Sequence, residues 1–139
     1  MPDNVLEIGA LLLSAVGAIA AWSFNERSKR AWEEYTRKEN NYRQLLIALK
    51  GFFVETQSKE LRDEFLQQVN LCWLYCPDDV IQKAYMFLDS VHTESTSGTE
   101  TSEKAMGDLV AAIRTDMLNR RIVKTTSLRG KDFRRIASR

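Results

Sequence analysis

The stretch VLEIGALLLSAVGAIAAWSF, residues 5–24, decides how this chain is read. Its one charge is Glu7, near the outer end. As a helix rising 1.5 Å per residue it measures roughly 30 Å, the thickness of a bilayer's hydrocarbon core. No other window in the chain compares with it. The expectation is a single-span membrane protein whose working part hangs behind the span. The sequence declares where the protein sits and how it is built more openly than any chemistry.

Two other readings of the same stretch stand beside this one. A cleaved signal peptide wants a basic leading region, a short apolar centre and a small-residue cleavage site. Ala18 and Ala20 can mimic such a site, but the leading residues carry Asp3 and no Lys or Arg. The run is also long for a signal, and Trp22 and Phe24 look like an interfacial aromatic anchor. A buried core helix of a soluble protein is the third reading, set against the small core that the remaining chain offers. A retained anchor is the expectation.

The flanks set an orientation. Arg27, Lys29 and Arg30 follow the span and no basic residue precedes it. The positive-inside rule then places the N-terminus outside and residues 25–139 in the cytoplasm, at the inner membrane. Glu7 falls near the outer interface, where a carboxyl group reaches water. Within the span Ala10, Ser14 and Ala18 share one helical stripe, with Gly9, Gly17 and Ala21 close by. Stripes of small residues let transmembrane helices approach closely, so self-association is a candidate role; Gly and Ala are also simply common in spans.

The residues behind the span suffice for one small helical domain. They hold all 20 Lys and Arg and 17 of the 19 acids. The basic excess gathers at the end, where residues 120–139 carry Arg120, Arg121, Lys124, Arg129, Lys131, Arg134, Arg135 and Arg139 against Asp132 alone. With Arg27, Lys29 and Arg30, the tail residues Arg120, Arg121, Lys124, Arg134 and Arg135 are candidate contacts for anionic lipid headgroups or other phosphates. A solvated tail is the plain alternative. Nucleic acid is set aside as a partner, because no nucleic-acid-binding motif accompanies the charge.

Cys72 and Cys76 stand four apart in a helix-like run, reduced if cytoplasmic. Zinc needs at least two more ligands, and the single histidine, His92, lies in a polar setting. Both cysteines read as small buried hydrophobes. With no Gly-rich phosphate loop, nucleophile elbow or ligand set, the expectation is a chain that is not an enzyme and takes no cofactor or metal.

Behind the span, Trp32, Tyr35, Tyr42, Leu46, Leu49 and Phe53 step at three and four residues, with Glu39 filling the gap, a heptad pattern. No Pro or Gly breaks the chain from Ala18 to Lys50, so the span runs into a long cytoplasmic helix. Glu33, Glu34, Arg37, Lys38 and Arg43 suit its solvated face. The seam packs either on the chain's own helices or on a neighbouring copy as a coiled coil; Glu39 favours the former. Trp32, Tyr35 and Tyr42 are candidate partner contacts wherever they prove exposed.

Further on, residues 58–75 form a second helix with Leu61, Phe65, Leu66, Val69, Cys72 and Trp73 inward. Pro77 breaks it, and Cys76-Pro77-Asp78-Asp79 reads as the start of a third helix, with Asp78 and Asp79 as capping carboxylates. Val80, Ile81, Ala84, Tyr85, Phe87, Leu88 and Val91 face its core. TESTSGTETS, residues 93–102, is a polar linker. A fourth helix over 103–119 turns Met106, Leu109, Val110, Ile113 and Met117 to one side, leaving Arg114 and Asp116 as surface or packing-edge charges. Leu128, Phe133 and Ile136 anchor a short terminal helix. A strand pattern is confined to 122–126, so the fold class is all-α: an N-terminal transmembrane helix continuing into a small helical bundle.

Two stretches carry a resemblance. EFLQQVNLCWLYCPDDVIQKAYMFLDSV, residues 64–91, and LVAAIRTDM, residues 109–117, followed by SLRGKDFRRI, resemble small bacterial proteins with one N-terminal span and an uncharacterised helical domain. In those proteins a proline-containing cap is usual where this chain has Arg129-Gly130. The resemblance covers about half the chain and implies a bacterial or phage-borne, membrane-anchored helical protein. It transfers no activity and no functional residue.

The expected function is therefore a membrane-anchored interaction or scaffold protein, acting through a homo-oligomer or a protein partner. The alternative is an oligomerising, membrane-perturbing effector of the toxin or antiphage kind. A single, mostly apolar span would need a wide oligomer to conduct.

Overall fold

The computed structural model describes residues 2–53, 58–92, 99–119 and 125–134. Among the described residues four α-helices make up the fold: α1 over Pro2–Ala48, α2 over Lys59–Tyr75, α3 over Asp78–His92 and α4 over Thr99–Asn119. Short 3-10 turns follow α1 at Leu49–Phe52 and lie near the end at Gly130–Asp132. There is no strand among the described residues. The all-α expectation holds. Residues 99–102, expected in the linker, already belong to α4, with Ser102 buried; the rest of the linker, 93–98, and the chain from 135 on lie outside the described residues, and the described part of the expected terminal helix holds a 3-10 turn.

By packing the chain divides into two units, Met1–Thr36 and Arg37–Arg139. The first holds the apolar stretch, and that boundary falls twelve residues beyond Phe24, where hydropathy changes. In this unit α1 buries almost nothing. Leu11, Leu12, Leu13, Val16 and Ile19 are each more than 60% exposed, as are Trp22 and Phe24.

In the second unit the remainder of α1 joins α2, α3 and α4 around one core. Phe52, Phe65 and Phe87 meet edge to face, with ring centroids 5.2, 5.4 and 5.7 Å apart. That arrangement opposes positive ring edges to negative ring faces. Leu45, Val69, Cys72, Val80, Ala84 and Leu109 fill the space around them with almost no exposure. Gly51, in the turn after α1, lies where a Cβ would come within 2.7 Å of Leu61 Cβ and 2.8 Å of the Arg62 backbone nitrogen. Only glycine lets this turn lie so close to α2.

The ends of α2 and α3 are set locally. Ser58 Oγ accepts the backbone N–H of Leu61 at 3.3 Å, capping α2. At the other end the Cys76 N–H closes on the Cys72 carbonyl at 2.7 Å, and Pro77 ends the helix. The Pro77 carbonyl then accepts the N–H groups of Val80 and Ile81, opening α3.

Candidate functional site

Three groups of predicted residues can now be placed. The first is the span. Ala10, Ser14, Gly17, Ala18 and Ala21 are exposed and Gly9 is half-buried. A Cβ added at Gly9 or Gly17 would meet nothing, so no contact within the chain requires these glycines. Ser14 already donates its hydroxyl to the Leu11 carbonyl at 2.8 Å, which leaves no unsatisfied donor on the stripe. Just behind it, Arg27 and Lys29 are exposed, while Arg30 donates to Glu26 one turn back at 3.3 Å. An exposed i,i+4 pair of this kind contributes at most a few tenths of a kcal/mol, about 0.5 at the upper end.

The second group is the aromatic seam. Trp32 stacks on Tyr35 with ring centroids 6.0 Å apart and stays 63% exposed. Tyr42 differs: it is 2% exposed and belongs to the core, so it leaves the set of candidate contacts. The buried stripe of α1 runs through Lys38, Tyr42, Leu45 and Ala48 and continues to Leu49 in the turn that follows, whereas Leu46 is half-buried and Phe53 is 42% exposed. From Arg37 onward the seam packs within the chain, and α1 ends at Ala48, ahead of Phe53.

Lys38, placed on the solvated face from sequence, and Asp116, read as a surface or packing-edge charge, are both buried. The Lys38 ammonium pairs with the Asp116 carboxylate, and the Tyr42 hydroxyl donates to the same Oδ2 at 2.6 Å. Their side chains are 10% and 2% exposed. The physical reason lies in the helical stripes. Lys38 precedes Tyr42 by four residues and Asp116 follows Ile113 by three, so each charge sits in line with core residues. Neither charge is stable there alone; they are buried because they meet. Val110, at the edge of the α4 stripe, is exposed in turn.

Beside this pair lie Tyr75, Cys72 and Cys76. The Tyr42 and Tyr75 rings meet edge to face at 6.2 Å. Burial pushes the Tyr42 and Tyr75 hydroxyls and the Cys76 thiol well above their ordinary range, and neighbouring acidic groups add to it. The Cys76 thiol is thus held protonated, a poor state for a nucleophile or metal ligand. Among the described residues no three His, Cys, Asp or Glu side chains gather as a metal site. The cluster is an internal tie between α1 and α4.

The third group is the tail. Arg134 is spent within the fold: its Nη1 donates to both Asp89 carboxylate oxygens at 3.0 Å, and its guanidinium lies 5.1 Å from the Tyr85 ring centre. It is therefore a poor phosphate contact. Arg120, Arg121, Lys124 and Arg135 lie outside the described residues, as does Ile136. Arg129 and Lys131 are exposed around the last turn, where the Asp132 carboxylate accepts the Arg129 N–H at 2.7 Å. Asp78 stands in the first turn of α3, as expected, and also accepts from Thr126 and Ser127 of the tail.

No family model, curated protein or solved structure matches the chain. Among the described residues one helix, near the N-terminus, is long and apolar enough to cross a membrane.

Proposed function

We propose that the chain is a single-span membrane protein with its N-terminus outside and its helical domain in the cytoplasm, acting through association. The observation that carries this reading is the apolar window of α1, none of which is buried. Ten large apolar side chains between Val5 and Phe24 stand exposed, among them Leu6, Leu13 and Trp22. At about 1.5–3 kcal/mol for full burial of each, water is a poor solvent for this surface and lipid a good one. Trp22 and Phe24 mark the inner interface. Arg27, Lys29 and Arg30 sit where anionic headgroups lie, each adding on the order of 1 kcal/mol when it reaches them.

Association is supported by two exposed features outside the core. One is the small-residue stripe of the span, which packs against nothing in its own chain. The other is Trp32, 63% exposed and stacked on half-buried Tyr35, which offers a protein partner or a second copy an aromatic surface. The test is extraction of the full chain with alkaline carbonate, followed by mass measurement in nanodiscs. Retention in the membrane and a discrete oligomer, or a stable complex with one partner, is the expected result. Release into the supernatant refutes the span. A monomer that captures nothing refutes association.

A further inference from the structure

Thr126 and Ser127 hold the tail to the head of α3. One oxygen of the Asp78 carboxylate accepts Thr126 Oγ1 at 2.6 Å. The other accepts both the Ser127 N–H at 2.6 Å and Ser127 Oγ at 2.8 Å. Residues 125–129 form neither helix nor strand, and Thr125, Thr126 and Ser127 are exposed. Two hydroxyls therefore lie in an open, irregular stretch, and what they bind is a carboxylate.

The seating is shallow. None of the described residues of 125–134 is buried, and only Leu128 packs partly against the core. Further along, the Arg134 and Asp89 side chains that pair remain 56% and 63% exposed. Contacts of this kind open without disturbing the helices beneath, which gives an enzyme access to the hydroxyls. The surrounding charge has one sign. No acid lies between Asp116 and Asp132; Lys124 precedes Ser127 by three residues in sequence, and Arg129 and Lys131 stand exposed just behind it. Such a stretch complements an acidic substrate groove, and charge patterns of this kind guide a kinase to its hydroxyl.

We propose that Ser127 is a phosphorylation site and that its phosphate unseats residues 125–134 from α3. The γ-phosphoryl group of a nucleoside triphosphate passes to Ser127 Oγ. A P–Oγ bond forms, the bond to the leaving nucleoside diphosphate breaks, and the hydroxyl proton goes to the kinase's base. The product no longer donates from Oγ, and it sets a charge of about −1.5 to −2 beside the Asp78 carboxylate. Asp79, in the same first turn, adds to the repulsion. A helix N-terminus favours anions, but these two carboxylates already occupy this one. Losing one hydrogen bond to a charged group shifts the seated-to-open ratio about tenfold, and repulsion carries it further. Release frees Trp73 and Tyr85 from Phe133 and Arg134. Ser127 is chosen over Thr126 because Thr126 Oγ1 also accepts the Leu128 N–H, at 3.1 Å, a contact within the tail itself. The proposal rests on the cytoplasmic placement of the domain, where nucleoside triphosphates are found.

The test has two arms, both on the full chain. In the first, chain isolated from its native cells with phosphatases inhibited is cut after Lys124 and Arg129, and the 125–129 peptide is sequenced by mass spectrometry. A fraction carrying phosphate on Ser127 is the expected result. Phosphate on Thr125 or Thr126 instead, or on none of the three, overturns the proposal. In the second, phosphoserine is built in at position 127 during translation, and hydrogen exchange of the Ser127 and Arg134 amides is followed in the purified protein. Exchange should speed up about tenfold or more, and the acceleration should shrink in Asp78→Asn. Unchanged exchange, or an equal acceleration in Asp78→Asn, overturns the switch. The placement is scored separately: an impermeant thiol label reaching Ser28→Cys from outside the cell refutes the cytoplasmic reading and leaves the exchange arm untouched.

Discussion

Replacing Asp116 with alanine should cost the domain much of its stability. Asp116 is 2% exposed at its side chain and carries both the Lys38 ion pair and the Tyr42 hydrogen bond. Removing its carboxylate strips a buried ammonium of this counter-charge, a change worth about 3–5 kcal/mol. The Tyr42 hydroxyl also loses its 2.6 Å acceptor, but the two losses share one oxygen and do not add. For a domain of this size about 4 kcal/mol lowers Tm on the order of 15 °C, out of a total stability of roughly 5–15 kcal/mol. The assay is thermal unfolding of the full chain in detergent, followed by near-ultraviolet circular dichroism. Two comparisons make it decisive. Glu39→Ala removes an exposed pair with Arg43 and should cost under about 0.5 kcal/mol. Replacing all three polar partners together, Lys38→Met, Tyr42→Phe and Asp116→Leu, should return most of the loss, to within about 2 kcal/mol of the parent, because no unpaired charge remains. If Asp116→Ala moved Tm by less than about 4 °C, the tie would be ornamental and this reasoning wrong.

Four other expectations concern single features. Gly51→Ala should destabilise the domain by about 1–3 kcal/mol, read in the same unfolding assay, since its Cβ would strike Leu61 and the Arg62 backbone. Leu13→Arg, near the middle of the apolar run, should cost roughly 3–4 kcal/mol of membrane insertion and shift the chain toward the carbonate-soluble fraction; an unchanged distribution would contradict the span. Cys72 and Cys76 are both buried, so a thiol reagent should modify neither in the native protein and both after unfolding. The last concerns pH. Burial raises the Asp78 carboxyl, but hydrogen bonds from Thr126, Ser127 and Leu128 outweigh it and hold the group below its usual range. A depressed folded pKa means the stabilisation is present above the ordinary carboxylate range and fades as pH falls through the folded value. Trp73 fluorescence, which reports the Phe133 contact, should change on acidification, and Asp78→Asn should abolish that step.

Much of the fold was legible because its signals are local. The unbroken apolar run, the Pro77 break and the regular stripe of α3 each act over a few residues. The starting point of α4 was misplaced because TETS looks like linker by composition, yet Thr99 and the residues after it are helical. The buried pair was missed for a different reason. The lysine read as solvated and the aspartate as a surface or packing-edge charge on a separate helix, and only the fold reveals that they meet. The signal was present in position rather than type: Lys38 lines up with Tyr42 and Leu45, and Asp116 with Leu109 and Ile113. Arg134 was read as one charge among eight, because its partner Asp89 lies 45 residues away. Asp78, read as a first-turn carboxylate of α3, stands there and in addition holds a segment 48 and 49 residues further on.

Thiol labelling of intact cells tests the central claim most directly. Asn4 and Ser28 flank the apolar run and both are exposed. With a membrane-impermeant maleimide, Asn4→Cys should label from outside the cell, while Ser28→Cys should label only after lysis. Equal labelling at both positions, the reverse order, or loss of the Asn4→Cys site from the mature chain would contradict a retained span with the domain in the cytoplasm.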